Sequence, residues 1–466
     1  MLRDAKHVHM IGIGGIGMSG IARILLFGGC AVSGSDVRLT STVRYLQKLG
    51  AAVHIGHDPA NVPHEAQVVV RSEAVKAGNP ELECAAARGV QVMRYAEALG
   101  QLMRAYRGVA VAGTHGKTTT TAMIAWVLKR AQLRPSFVVG GNVPALGGSA
   151  GVGEGDIFVA EACEYSRSFL NLTPEVAVIN NIEEDHLDYY SGLDEIRRAF
   201  ADFAARATPD GIIVVNRDDA DAVKAAEGAT CRRVTIGFSK DADWRAEKVE
   251  SSYGFTSFEV FRHGSSLGKS YLKMSGEHNV MNALAAAAVA DHFGVSGEAI
   301  IASLATFPGV SRRFEELGDR DGVTVVDDYA HHPTAVRLTL RAVREKYPGG
   351  RRLWCVFQPH QHSRTRFLLN DFAHSFADAD VVVIPDIFFV RDGEAERALI
   401  TSEDLVREIA ARGGEARYIP DFPEILKHLA RNVQPGDILL TMGAGNVNEL
   451  AEAFLAARSR TTTALQ

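Results

Sequence analysis

Short apolar runs alternate with amphipathic stretches along most of this chain. Runs at 68–70, 157–160, 176–179, 212–215 and 381–384 have strand length and sit between patterns of helical period. Three times an apolar run passes through a glycine-rich or polar turn into a helix-forming segment. These units begin at Val8 (VHMIGIGGIGMSGIARILLFGG), Gly108 (GVAVAGTHGKTTTTAMIAWVL) and Val323 (VTVVDDYAHHPTAVRLTLRAVRE), with an echo of the last at Asp437 (DILLTMGAGNVNELAEAFL). Strands that alternate with helices build parallel sheets covered by helices, so the predicted fold class is α/β. A length of 466 residues exceeds what one core supports. Breaks near Arg107 and Val310 give the divisions 1–106, 107–310 and 311–466. The polar tail 459–463 is expected to be disordered.

Composition narrows the class. Hydrophobic residues make up 46% and charged residues 23%, as in soluble globular proteins, and the net charge of −6 suggests neither nucleic acid nor a membrane surface as partner. The apolar stretch 8–32 mimics a signal peptide but is broken by glycines and carries Arg23. No run approaches the roughly 20 apolar residues of a membrane helix. Five scattered cysteines without a CxxC pair fit a reducing cytoplasm better than a disulfide framework or a zinc ribbon. A monomer or homodimer is expected.

Gly12, Gly14 and Gly17 form GxGxxG directly after a strand, and Asp36 ends the next strand candidate. Such a loop lets backbone N–H groups approach a pyrophosphate at a helix start, and an acid at Asp36 could take a ribose hydroxyl. A tight strand–helix turn without ligand fits the pattern equally. Against a nicotinamide enzyme stands a second phosphate loop, since two loops can serve two phosphorylated molecules.

That second loop is Gly113, Gly116, Lys117 and Thr118, a shortened P-loop with Val111 where the strict pattern has glycine. Backbone N–H groups wrap the phosphates, the Lys117 ammonium bridges the outer ones and the Thr118 hydroxyl can ligate Mg²⁺. Glu161, at the end of DIFVAE, is a candidate second ligand. In VINNIEEDHLDYY the residues Glu183, Glu184, Asp185, His186 and Asp188 follow a strand. They read either as a capped helix start or as a metal neighbourhood containing His186.

HMIGIGGIGMSGIA, GTHGKTTTT, EACEYSRSFL, NIEEDHLDYY, GEHNVMNALAA, SRRFE, DDYAHHPTAV and QPHQHSRT occur in this order from Val8 to about Leu450. Together they resemble the Mur ligases of cell-wall synthesis, and within them the alanine-adding branch. The resemblance implies three domains: a Rossmann-like N-terminal domain holding the UDP part of UDP-N-acetylmuramate, a P-loop central domain binding ATP and Mg²⁺, and a C-terminal dinucleotide-fold domain presenting L-alanine. It implies that ATP phosphorylates the lactyl carboxylate and that the alanine amine attacks the acyl phosphate.

Carried over residue by residue, the resemblance puts Gly12, Gly14, Gly15, Gly17, Ser19, Ser35, Asp36 and Asn142 at the UDP-sugar. Gly113, Thr114, His115, Gly116, Lys117, Thr118, Thr119, Asn279, Asn282, Arg313 and Asp327 would serve ATP, Asp327 at its ribose. Thr118 and Glu161 would hold one Mg²⁺ and His186 a second. His331 would stand at the reacting centre, and His360 and Arg364 near the alanine.

Other readings exist for several of these residues. Arg312 and Arg313 could be a solvated pair, and Asn282 a helix-surface residue. His331, His332, His360 and His362 could suggest zinc, but Arg364 and Arg366 nearby favour an anion. Two departures stand out. The family often has Arg-Tyr after QPH where this chain has Gln361 and His362, and no lysine lies between Lys129 and Lys224 to serve as the carbamoylated lysine of sister ligases. The rival functions are a murein-peptide ligase, a dinucleotide-dependent oxidoreductase and a non-catalytic nucleotide-dependent scaffold.

Overall fold

Apolar runs buried on both faces place three sheets in series along the chain. The computed structural model describes residues 2 and 4–457; the tail expected to be disordered lies outside them. The first sheet is wholly parallel, in the spatial order Ala52–Ile55, Ala31–Asp36, His7–Ile11, Val68–Arg71, Gln91–Arg94. Its order reverses between His7–Ile11 and Val68–Arg71, and a crevice opens at the carboxyl ends of strands flanking such a reversal.

The middle sheet has ten strands. Arg107–Ala112 runs through its centre between Val176–Ile179 and Ile157–Glu161, and delivers the chain to the helix Lys117–Arg130. The helix Glu277–His292 packs beside that helix, its alanine-rich run allowing close approach. Both flanks of this sheet depart from the parallel expectation: Ser136–Val138 and Ala150–Gly151 pair antiparallel at one edge, and at the other Trp244–Ser252, Phe255–Arg262 and Ser265–Leu272 form an antiparallel meander. Its two-residue turns place Tyr253 and Gly254, then His263 and Gly264, at positive φ, the conformation that matches the twist of adjacent strands.

The third sheet has six strands: the antiparallel edge Glu315–Arg320, then Val323–Asp328, Ile438–Met442, Leu353–Phe357, Val381–Ile384 and Ala416–Tyr418 in parallel. The acidic segment after Val176–Ile179 is not a capped helix start; it stays irregular until the helix Leu193–Ala204.

Packing differs between the two junctions. The first sheet and one face of the middle sheet share a continuous apolar core running from Leu2 to Cys231. A Cβ on Gly20 would come within 3.1 Å of Val138 and Ala150, so this junction is tight. The third sheet has its own cores, against which Leu187 alone among the described residues before 310 packs. Its junction with the middle region is therefore chiefly polar, which suits a joint that opens and closes.

Candidate active site

The phosphate loop is held from behind. Gly116 takes φ +79, and a Cβ there would lie 2.5 Å from Asn282 Oδ1. Asn282 is buried, accepts from Thr120 Oγ1 at 3.0 Å and donates to Asn279 Oδ1 at 3.3 Å, so neither asparagine is a bare surface residue of its helix. The front of the loop is strapped to 181–183: Thr114 N donates to Asn181 O at 3.1 Å, His115 N to Asn181 Oδ1 at 2.7 Å, and Glu183 N to Thr114 Oγ1 at 2.9 Å. Thr118 and Thr119 begin the helix and are buried.

Lys117 Nζ donates to Gly113 O at 2.5 Å, Thr114 O at 3.1 Å and Glu164 Oε1 at 2.9 Å. Burial would lower the pKa of this ammonium, but Glu164 and the other groups around it, Glu161 among them, together outweigh burial and the net shift is upward. Burial opposes the Glu164 charge, yet Lys117 and His186 hold its pKa below the usual range. Glu164 Oε1 also lies 3.6 Å from His186 Nε2, while Glu164 Oε2 and His186 Nδ1 are buried without protein partners. Glu164 is thus the site residue that sequence reasoning passed over. Its signal was an acid three positions beyond Glu161, on the same strand exit.

Glu161 accepts a hydrogen bond from Gly140 N and one from Thr118. Burial pushes its pKa up, against the Gly140 N–H and the nearby Arg313. Arg313 belongs to the third region, yet its Nη2 donates to Thr118 Oγ1 at 3.2 Å and its guanidinium lies over the Tyr329 ring at 4.9 Å. Arg312 turns the other way, with Nε on Asp327 Oδ2 at 3.0 Å and its other nitrogens on Gly443 O and Gly445 O. The two arginines are therefore not a solvated pair. Asp327 is 1% exposed, and its other oxygen accepts from Thr441 Oγ1 at 2.6 Å. Both oxygens have partners inside the third region, Arg312 and Thr441, where the resemblance led to the expectation of an ATP ribose contact.

Arg364 Nε donates to Asp185 Oδ1 at 2.9 Å, and its Nη1 lies 3.3 Å from His360 Nδ1. The His331 and His360 rings face each other at 6.0 Å. Burial, then the Arg364 charge, lowers His360 to about 3 and takes His331 well below the ordinary imidazole range. His332 is lowered to about 4, by burial and then His115. His331, His332, His360 and His362 do not converge: His332 turns to Glu183, and His362 lies 3.9 Å from Asp392. Gln361, at φ +72, is 1% exposed with both amide atoms unpartnered.

In the first region a cavity of 440 Å³ lies at the carboxyl edge of the sheet, lined by Gly12, Asp36, His57, Ser72, Lys76 and Asn79 among others. Gly12 bends the loop at φ +77, Gly15 caps the following helix, and a Cβ on Gly17 would collide with the Tyr95 ring at 2.5 Å. Three of the residues expected at the UDP-sugar have partners within this region. Asp36 Oδ2 accepts the Gly14 N–H at 2.8 Å and Oδ1 that of Arg38 at 3.2 Å, so the loop itself occupies this carboxylate. Ser19 is buried and donates to Ile16 O. Ser35 is fully buried, donating to Glu81 Oε2 at 2.6 Å beneath the cavity floor. Asn142 is exposed at the junction with the third region, where its carbonyl accepts from Ser311 N at 2.9 Å.

Comparison with known proteins follows the same three divisions. The Mur ligase family catalytic domain matches residues 7–107, the Mur ligase middle domain 111–290 and the Mur ligase glutamate ligase domain 312–445. A UDP-N-acetylmuramate–L-alanine ligase of Geobacter sulfurreducens is 45% identical over 458 residues, covering 98% of each chain. That of Acetivibrio thermocellus is 43% identical over 97% of this chain and 96% of its own. Among solved structures, a UDP-N-acetylmuramate-alanine ligase of Thermotoga maritima aligns with a TM-score of 0.81 at 29% identity, over 96% of this chain and 98% of its own. A murein peptide ligase of Psychrobacter arcticus aligns at 0.74 with 27% identity, over 97% and 98%. With a phosphate loop seated between three sheets in this order, and relatives of this identity along its whole length, the chain belongs to the Mur ligase family.

Proposed function

We propose that this protein joins L-alanine to the lactyl carboxylate of UDP-N-acetylmuramate with cleavage of ATP, forming UDP-N-acetylmuramoyl-L-alanine, ADP and phosphate in peptidoglycan precursor synthesis. Residues 1–106 take the UDP part, 107–310 the ATP and 311–466 the amino acid. The observation that carries the reading is convergence: Lys117, Thr118, Glu161 and His186 of the middle domain face Arg313, His331, His360 and Arg364 of the third.

A carboxylate is a poor acyl donor because oxide would have to leave; once phosphorylated, it releases phosphate instead. The step gathers negative charge, so cations must be positioned beforehand. Lys117 stands at the loop mouth with its charge preserved by Glu164, and incoming phosphate oxygens exchange for Gly113 O and Thr114 O. Arg313 adds a second cation from the third domain. Arg364 and neutral His331 and His360 border the place where an amine and a carboxylate would meet, and a neutral imidazole can accept the proton the amine loses.

Thr118 Oγ1 and the Glu161 carboxylate are hard oxygen donors that fit Mg²⁺, with His186 Nδ1 and Glu164 Oε2 as further buried polar atoms beside them. A Mg²⁺ held there supplies charge neutralisation at the transferred phosphoryl group. The closed polar junction of the third domain excludes water from the acyl phosphate. We place the enzyme in the cytoplasm, where ATP is available and its five free thiols stay reduced.

A murein-peptide ligase is the nearest alternative, but the relatives aligned along almost the whole chain at 43–45% identity carry the name UDP-N-acetylmuramate–L-alanine ligase, and among the solved structures the alanine ligase superposes better, with a TM-score of 0.81 against 0.74 for the murein peptide ligase. An oxidoreductase leaves Lys117, Thr118 and Glu161 without a task. The test is phosphate release from ATP and Mg²⁺ with UDP-N-acetylmuramate and a panel of alanine, serine, glycine and tripeptide. Release that requires alanine is expected. Release with tripeptide alone would contradict the assignment.

A further inference from the structure

We propose that His115, Glu183 and His332 form a binding site for a transition-metal ion of the Zn²⁺ class, separate from the Mg²⁺ ligands and bridging the phosphate loop to the third domain. His115 Nε2 lies 3.3 Å and His332 Nδ1 3.9 Å from Glu183 Oε2, and all three ligand atoms lie within 4.8 Å of one another. A tetrahedral ion with bonds of roughly 2.0–2.1 Å holds its ligands ~3.4 Å apart, so the His115–Glu183 pair already has that spacing, the His332–Glu183 pair needs to close by about half an ångström, and no pair needs to close by more than about 1.4 Å.

The donors are already oriented. His332 Nε2 lies 2.9 Å from Glu184 O, which fixes its proton there and leaves Nδ1, 3.9 Å from Glu183 Oε2, without a proton. Thr334 Oγ1 donates to Glu183 Oε2 at 2.7 Å and steadies the carboxylate. A partner on the far ring nitrogen, as His332 has in Glu184 O, accompanies metal-binding histidines. Thr334 N also lies 3.3 Å from His332 Nδ1, a weak contact that an ion would replace. Among the described residues no other three His, Cys, Asp or Glu side chains gather in this way.

Two imidazoles and one carboxylate select Zn²⁺, Co²⁺ or Ni²⁺, whereas Mg²⁺ prefers the oxygen donors Thr118 and Glu161. His115 lies within the phosphate loop, Glu183 on the irregular segment that straps it, and His332 at the start of the helix Pro333–Lys346. One ion therefore ties the third domain to the loop in the closed arrangement. The inference concerns binding and does not rest on the reaction assigned above.

The test is Co²⁺ titration of the full-length protein in excess Mg²⁺, read by visible absorption. Intense bands of four- or five-coordinate Co²⁺ should saturate at one equivalent and disappear on adding Zn²⁺. His332→Ala should weaken Co²⁺ binding by about tenfold or more. Because His332 also caps its helix, His115→Ala and Glu183→Gln provide second tests with the same expected loss. Glu161→Gln should keep the bands. Only a weak six-coordinate spectrum, bands that survive both His115→Ala and Glu183→Gln, loss in Glu161→Gln, or a thiolate charge-transfer band from cysteine ligation would overturn the site.

Discussion

Arg364 of the third domain donates to Asp185 of the middle domain at 2.9 Å, with both side chains buried. Burial alone would raise the Asp185 pKa, but Arg364 and the surrounding histidines hold it well below the usual carboxylate range. This pair spans a junction with little apolar contact, so it is a principal tie between the two domains. Arg364→Ala leaves Asp185 charged, buried and unpaired, at a cost of about 3–5 kcal/mol to the closed arrangement. Scattering should detect a more open average shape, with partial recovery in the double variant carrying Asp185→Asn. No change in dimensions would remove the pair from the closure account.

Lys117→Ala should lower kcat by about 10²- to 10³-fold or more, because a positioned cation at the transferred phosphoryl group is lost. Calorimetric binding of UDP-N-acetylmuramate should stay within about twofold, since the cavity at Gly12 and Asn79 belongs to another sheet. Equal loss of both would contradict separate sites.

For Asp327, structure and resemblance point in different directions, and one variant separates them. With both oxygens bound to Arg312 and Thr441, Asp327→Asn should destabilise the third domain by about 1–3 kcal/mol while KM for ATP moves by less than about threefold. A large rise in KM at unchanged thermal stability would restore the ribose contact.

Much of this was legible in the chain. The runs 176–179 and 381–384 coincide with the strands Val176–Ile179 and Val381–Ile384, because continuous Val/Ile stretches between helices suit nothing but buried parallel strands. The phosphate loop was legible because its glycines and Lys117 are local in sequence. The meander 244–272 was missed: its edge position leaves it polar, and only alternation such as TSFEVF and the pairs Tyr253-Gly254 and His263-Gly264 mark it. Glu164 and the committed oxygens of Asp327 were hidden for another reason. The Glu164 partner lies 47 residues away in the chain and those of Asp327 lie 15 and 114 away, and no local pattern records such pairings.

Acid should weaken the closed protein before its carboxylates protonate. His331, His332 and His360 have folded pKa values below the unfolded value of about 6.5, with His332 at about 4 and His360 at about 3. The unfolded chain therefore binds more protons between about pH 6.5 and pH 4, and stability is complete above that window and falls as pH drops through it. Each histidine contributes about 1.4 kcal/mol per pH unit within it. Thermal midpoints should decline steadily across the window, less steeply in a variant with all three changed to Asn. A flat profile would contradict buried neutral imidazoles.

The central claim is that the sugar's carboxylate is phosphorylated before the amine attacks. The most direct measurement uses UDP-N-acetylmuramate carrying ¹⁸O in its lactyl carboxylate, with ATP, Mg²⁺ and L-alanine, and mass analysis of the phosphate released. One ¹⁸O transferred to each phosphate is the predicted result. Phosphate without the label would contradict the account.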